Sequence, residues 1–184
     1  MLLRWAQGDG LDVRWRPLAD LPLALGRAVV AAEDNWFCRH RGFDWAALQA
    51  QFELARAGER PRGASTITQQ TAKNVLLWPG RDPVRKVLEA WFAPQLELFW
   101  GKRRILEVYL NVAELGPGVF GAEAAARHWF DRPAAELSGH QAATLAAMLP
   151  NPRAWTPDDP LVQEKAAVVL SRVGQLGSLL DCVP

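Results

Sequence analysis

Apolar positions along the chain recur mainly three and four residues apart, the spacing of one helical face, while strand-like alternation is scarce. Caps and breakers divide this pattern into successive segments. Pro22 suits a first helical position and opens a helix from about 22 to 34. Asp44 can cap a second at about 45–57, closed by Gly58. Thr66 with Gln69 three positions on is a capping-box signature, so a third helix starts there and runs to about 77. Trp78, Pro79 and Gly80 stop it. Asp82 followed by Pro83 opens a helix through Leu98, which Pro94 should kink by removing one hydrogen bond. Further helices are predicted at about 102–115, ended by Gly116, Pro117 and Gly118, and at about 122–129. Ser138 and Gln141 form a second capping box for a helix ending at Pro150. Asp159 and Pro160 open the last, whose Leu161, Val169, Leu170, Val173 and Leu176 form an apolar stripe up to Gly177. Short strands are expected only near 11–16 and 117–120. With no repeat or linker, residues 1–184 read as a single, mainly α domain.

Composition changes this picture in three ways. Apolar content of 49% and charged content of 22% are those of a globular protein, and a net charge of +1 excludes a general nucleic-acid binder. Charge is uneven, however. Arg60, Arg62, Lys73, Arg81, Arg85 and Lys86 face Asp82 alone between positions 60 and 86, which suits one specific anion. Tryptophan favours membrane interfaces, its ring apolar and its N–H wet; of the nine here, Trp78, Trp91 and Trp100 are the candidates and the rest are expected in the core. Cys38 and Cys182 offer no disulfide framework, and His40, His128 and His140 no metal spacing. No apolar run approaches the roughly 18 residues of a spanning helix. Residues 1–20 carry Arg4, Asp9, Asp12, Arg14 and Arg16, so neither a signal peptide nor a membrane anchor is expected within this chain.

The densest chemistry lies in RGASTITQQTAKNVLL at 62–77. Ser65, Thr66, Thr68, Gln69, Gln70 and Asn74 surround one cation, Lys73, and Gln69, Gln70, Lys73 and Asn74 share about half the helix circumference. Ile67, Ala72, Val75 and Leu76 can supply the buried side. A face of uncharged amides around one lysine suits a sugar bearing a phosphate. Elsewhere, Glu33 falls at a helix C-terminus beside Asp34, Trp36 and Phe37, where the dipole and aromatic neighbours raise a carboxyl pKa toward that of a general base. Glu89 lies four residues after Arg85 and three after Lys86, on one face with both.

The segment GASTITQQTAKN resembles the second signature block of the peptidoglycan glycosyltransferases, glycosyltransferase family 51. Four more blocks stand in that family's order: EDNWFCRHRGFD at 33–44, RKVLEAWFAPQLE at 85–97, KRRILEVYLNVAELGPGVFGAEAAARHWF at 102–130 and HQAATLAAMLPNPRAWTP at 140–157. The resemblance covers roughly 22–157. It implies a lysozyme-like helical head with a smaller, membrane-facing jaw, and an activity that polymerises glycan strands from lipid II and a lipid-linked glycan chain. It places the proton-abstracting glutamate on Glu33 and a second essential carboxylate on Glu89. Glu89 is left three roles: orienting cations, helping to hold a divalent cation such as Mg or Mn, or stabilising charge at the anomeric carbon. Ser65, Thr66, Gln69, Gln70, Lys73, Asn74, Arg81, Arg85, Lys86 and Lys102 are the implied substrate contacts. Glu107 and Asn111, matching ExYLN, are implied supports behind the site, on one helical face with Arg103 and Glu114. The Gly116–Gly121 loop, Ala124–Ala126 and the fifth block are expected to serve packing. Partners would be the membrane surface and other cell-wall synthesis proteins, with no nucleic acid; the place would be the outer, periplasmic face of the bacterial inner membrane. The family usually carries an N-terminal membrane helix, and none is expected within these residues.

The cations also bear on whether such a site makes or breaks glycan. A glycosidase must protonate an alkoxide leaving group and keeps a neutral carboxylic acid for it. A lipid pyrophosphate needs only neutralisation of its growing negative charge, which Lys73, Arg81, Arg85, Lys86 and Lys102 could supply. Two other readings stay open at this point: a lytic enzyme on a lysozyme-like fold, and a catalytically silent scaffold at the membrane surface.

Overall fold

The computed structural model describes residues 11–59, 63–80 and 82–183. Among them eight α-helices form in the predicted order: α1 (Leu23–Glu33), α2 (Trp45–Arg56), α3 (Ile67–Leu76), α4 (Pro83–Phe99), α5 (Gly101–Val112), α6 (Ala122–Phe130), α7 (Gly139–Met148) and α8 (Pro160–Leu176). The fold is mainly α, consistent with the lysozyme-like class. The expected caps are formed. Asp44 accepts from Ala47 N, Asp82 from Val84 N and Asp159 from Leu161 N, and both capping boxes close. Pro22 sits one position earlier than expected, as the extended residue that precedes α1.

α1, α7 and α8 pack together, and α3 packs on α4 and α5. Small residues let these helices approach closely. Ala142, Ala143, Ala146 and Ala147 of α7 are buried, as are Ala124, Ala125 and Ala126 of α6. Gly121 takes φ +84°, and a Cβ there would meet the Asn111 carbonyl oxygen at 2.6 Å, so only glycine lets the chain turn from Val119–Phe120 into α6 against α5.

The helix expected to reach 115 ends at Val112, because Ala113 turns extended and Glu114–Gly116 form a strand, β2. This strand pairs antiparallel with β3 (Val119–Phe120), which pairs parallel with β1 (Asp12–Val13). Glu114 therefore leaves the helical face assigned to it. On α3, Val75 and Leu76 are exposed, and the buried side is made by Ile67, Thr68, Thr71 and Ala72. Two threonines can be buried because each hydroxyl is satisfied, Thr68 donating to Glu97 at 2.6 Å and Thr71 to the Ile67 carbonyl at 2.8 Å. Trp100 is half-buried against the core, unlike the exposed Trp78 and Trp91.

The two cysteines are also paired, contrary to expectation. Cys38 and Cys182 form a disulfide across 144 residues, their Cα atoms 5.5 Å apart. Spacing in sequence gave no hint of it; the fold brings the C-terminal segment onto the loop after α1. There Arg39 donates to the Ser178 carbonyl and to Asp181, and Val183 packs against Gly26. Closing so long a loop restricts the unfolded chain and typically stabilises a domain by about 2–4 kcal/mol.

Candidate active site

Glu33 is the last residue of α1, half-buried, and lines a cavity of about 360 Å³. Its Oε2 accepts a 2.7 Å hydrogen bond from Gln70 Nε2 on α3. Gln70 Oε1 in turn accepts from the Tyr109 hydroxyl of α5 at 3.0 Å. That second bond fixes the amide with its NH₂ toward the carboxylate. Burial raises the Tyr109 pKa well above its ordinary value, with the Glu33 and Asp34 charges adding to it, so the phenol remains a donor. Burial is also the main force raising the Glu33 pKa above 4.5; Asp34 adds to it, while the Gln70 bond and Lys73 oppose it. The raised carboxyl of the sequence reading is present, with burial rather than the helix end as its first cause.

Asp34 anchors the adjoining chain. Its side chain accepts from His40 Nε2 at 2.9 Å and from Ile67 N, the first N–H of α3, at 2.9 Å. One buried carboxylate thus ties the end of α1 to the start of α3. This sets Glu33 opposite Gln70.

Gln70 lines a second, larger cavity of about 490 Å³ together with Lys73, Asn74, Arg85 and Tyr109. Lys73 is held below its ordinary pKa by burial first and by the Arg85 charge second. Lys86 is lowered for the same two reasons, with Lys73 adding to them. Glu89, buried on α4, bonds both Arg85 and Lys86 and offsets part of this repulsion. Arg85 Nε is buried without a hydrogen-bond partner among the described residues. Two lysines whose charge is disfavoured by burial and by neighbouring cations, beside a buried donor with no partner, favour binding of an anion.

The other sequence-derived contacts separate. Ser65 and Thr66 line the Glu33 cavity, and Lys86 Nζ donates to Ser65 Oγ at 2.8 Å. Thr66 and Gln69 are taken up by the capping box, and the Thr66 hydroxyl donates to the Gly42 carbonyl at 2.7 Å. Gln69 lines neither cavity, because the box turns it inward. Lys102 lies apart from the other cations: its Nζ donates to Glu97 at 2.6 Å and sits 4.5 Å from the centre of the Phe37 ring. Arg81 lies outside the described residues.

In the ExYLN segment it is Tyr109 that reaches the site. Glu107 and Asn111, on the opposite side of α5, accept from Leu18 N and Arg16 N and strap residues 16–18 to that helix. Two positions along a helix is a rotation of about 200°, so one motif serves two faces. The tail of the fifth block was expected in the core, yet Asn151 and Arg153 line the larger cavity. Asn35, inside the first block but given no role there, and Arg172, which no pattern in the sequence singled out, line the cavity of Glu33.

The residues present do not fit a protein-held divalent cation. Among the described residues no group of three or more His, Cys, Asp or Glu side chains is placed to hold a metal, and Arg85 and Lys86 occupy the Glu89 carboxylate.

The family model for transglycosylases matches residues 3–174. The chain belongs to the transglycosylase family, the peptidoglycan glycosyltransferases of family 51. Named relatives agree with the family model. The biosynthetic peptidoglycan transglycosylase of Caulobacter vibrioides is 56% identical over 155 residues, 84% of this chain and 68% of that protein. Those of Rhodospirillum centenum and Stutzerimonas stutzeri are 52% and 51% identical, each over 94% of this chain and over 76% and 73% of their own lengths. The family match spans Glu33, Gln70, Lys73, Arg85, Glu89 and Tyr109 alike, and it extends to Arg172, beyond the five blocks.

Proposed function

We propose that this chain polymerises peptidoglycan glycan strands from lipid II. The observation that carries the reading is one side chain, Glu33, with a raised pKa, in a cavity of its own and linked through Gln70 to a second cavity lined by crowded cations. The acceptor, lipid II, occupies the Glu33 cavity, and the growing lipid-linked chain occupies the cationic one. Glu33 takes the proton of the acceptor 4-hydroxyl. The resulting oxygen bonds to the donor's anomeric carbon as the bond from that carbon to pyrophosphate breaks. Inversion gives a β-1,4 link and undecaprenyl pyrophosphate departs. Lys73 and Arg85 neutralise its charge, Glu89 holds Arg85 and Lys86 in place, and Ser65 and Asn74 bind polar groups of the substrates.

Incubated with labelled lipid II, the protein is expected to make lipid-linked polymer and to release no muropeptides from purified sacculi. Soluble fragments from sacculi, with no polymer from lipid II, would establish cleavage instead.

The substrate's lipid asks for a membrane-facing surface, and the exposed apolar residues supply a candidate. Trp91 is 67% and Phe99 76% exposed on α4, beside Val84, Val87 and Leu98, while α2 buries none of its residues and exposes Trp45 and Phe52. Leu96 is buried and takes no part. No helix among the described residues is long and apolar enough to cross a membrane. The chain is therefore expected to bind anionic liposomes weakly and reversibly, and Trp91→Glu with Phe99→Glu to weaken that binding. Failure to co-sediment with vesicles of any composition would make these aromatic residues ordinary surface. The Cys38–Cys182 disulfide suits the oxidising, periplasmic side of the inner membrane, where other cell-wall synthesis proteins would be its neighbours.

A further inference from the structure

Two polar side chains to which the signature motifs give no role line the cavity of Glu33: Asn35, inside the first block, and Arg172, beyond the last. Asn35, two residues beyond Glu33, has a buried Oδ1 without a hydrogen-bond partner among the described residues, and the residue lines the cavity. Arg172 comes from α8, far along the chain, and lines the same cavity. Its Nη1 donates to the Ala31 carbonyl at 3.0 Å. Ala31 belongs to the last turn of α1, whose terminal carbonyls have no partner within the helix. The arginine thus satisfies the helix end that carries Glu33, and its guanidinium has further donors than the one spent there.

An unpartnered buried oxygen is costly unless a donor meets it. In this cavity it stands near a donor-rich guanidinium and a carboxyl. An acceptor oxygen, a set of N–H donors and a base together match a neutral sugar, whose hydroxyls donate and whose hydroxyl and acetamido oxygens accept. A phosphate offers no proton to Asn35 Oδ1, so the pair fits the sugar better than the pyrophosphate.

We infer that Asn35 and Arg172 are acceptor-recognition residues: Asn35 Oδ1 accepts from a hydroxyl of the acceptor's terminal sugar, and Arg172 donates to an oxygen of the same sugar. This rests on the assignment of the Glu33 cavity to the acceptor. Arg172 also holds the turn that presents Glu33, so the two residues align the sugar's 4-hydroxyl with the base from opposite sides of the chain's length.

The test is elongation of a preformed lipid-linked glycan, kept saturating as donor, with lipid II varied as acceptor. Asn35→Ala is expected to raise the KM for lipid II about 10-fold, the loss of one good hydrogen bond, with kcat within about 3-fold of wild type; Arg172→Ala is expected to raise KM by a similar factor and to lower kcat as well, because it also releases the turn that presents Glu33. Arg172→Lys should recover part of the loss, since a point charge replaces a planar fork. Melting separates recognition from structure. Asn35→Ala removes a buried oxygen with no partner, so its melting temperature should not fall. Unchanged KM in Asn35→Ala and Arg172→Lys, or a loss of kcat together with a lowered melting temperature in Asn35→Ala, overturns the inference. If Arg172→Ala does not fold, the other two variants decide. Wild-type protein that elongates nothing would overturn the acceptor assignment itself, and this inference with it. Normal wild-type elongation with indifferent variants would overturn this inference alone.

Discussion

Glu33→Gln is expected to lower polymerisation of lipid II by at least about 10²-fold, the usual contribution of a positioned general base. The amide keeps the shape and can still accept from Gln70 Nε2, so loss of the proton acceptor is the only large change. Two accompanying measurements make the result specific. In the wild type, the rate should fall on the acid side as Glu33 protonates, at a pH above the ordinary 4.5, because burial raises its pKa. In the variant that limb should disappear from whatever rate remains. The sign for stability is opposite. A carboxyl whose folded pKa is raised contributes stability below its unfolded pKa and loses it as pH rises through the folded value. At neutral pH the ionised Glu33 is thus a cost to the fold, and Glu33→Gln should melt no lower than wild type, and at a higher temperature if that cost dominates. Near-wild-type turnover would remove Glu33 from the mechanism.

The second large effect concerns the cations. Lys73→Ala and Arg85→Ala are each expected to reduce kcat by about 10²-fold or more, the scale of losing one preorganised charge stabiliser, with a smaller change in donor binding. The expectation follows from the crowding of these groups before any substrate arrives. Burial and Arg85 depress the Lys73 pKa, so the charged lysine becomes most favourable when pyrophosphate charge develops beside it. The same shift puts the alkaline limb of the wild-type profile below the ordinary 10.5 of a lysine, as pH rises through the lowered pKa and the charge is lost. Lys73→Arg should move that limb upward, since a guanidinium stays protonated. A pure rise in KM, with kcat intact in both alanine variants, would show that these residues only hold the donor.

Lys102→Ala makes a useful contrast. Lys102 is engaged by Glu97 and the Phe37 ring and lines neither cavity, so its loss bears on stability before catalysis. The sequence grouped it with the other candidate cations by its charge and its place in a signature block.

Helix boundaries and both capping boxes were legible because they depend on neighbours within four residues: a cap, a proline, a glycine, an apolar stripe. Gln70, Lys73 and Arg85 could be singled out as candidates for the same reason, as dense chemistry at helical spacing, whereas Glu89 owed its weight to the resemblance. What failed to show depends on distant segments. Glu114 left its helix because Val119–Phe120 was there to pair with it. Glu107 and Asn111 turned from the site because residues 16–18 needed their carboxylate and amide, and Tyr109 took the place behind Gln70. Val75 and Leu76 stayed exposed although apolar, since Thr68 and Thr71 found partners and could be buried instead.

The chain's own pattern therefore determined a helical domain, its punctuation, a cationic, amide-rich helix and, elsewhere in the sequence, a glutamate at a helix end. Tertiary structure alone decided the Cys38–Cys182 bond, the Asp34 link between α1 and α3, and the arrival of Arg172 beside Glu33. The physical reason is common to all three. Local order follows from backbone and side-chain preferences within a turn or two, whereas a hydrogen bond, a disulfide or a cavity wall between remote residues exists only once packing has brought them within a few ångströms of each other.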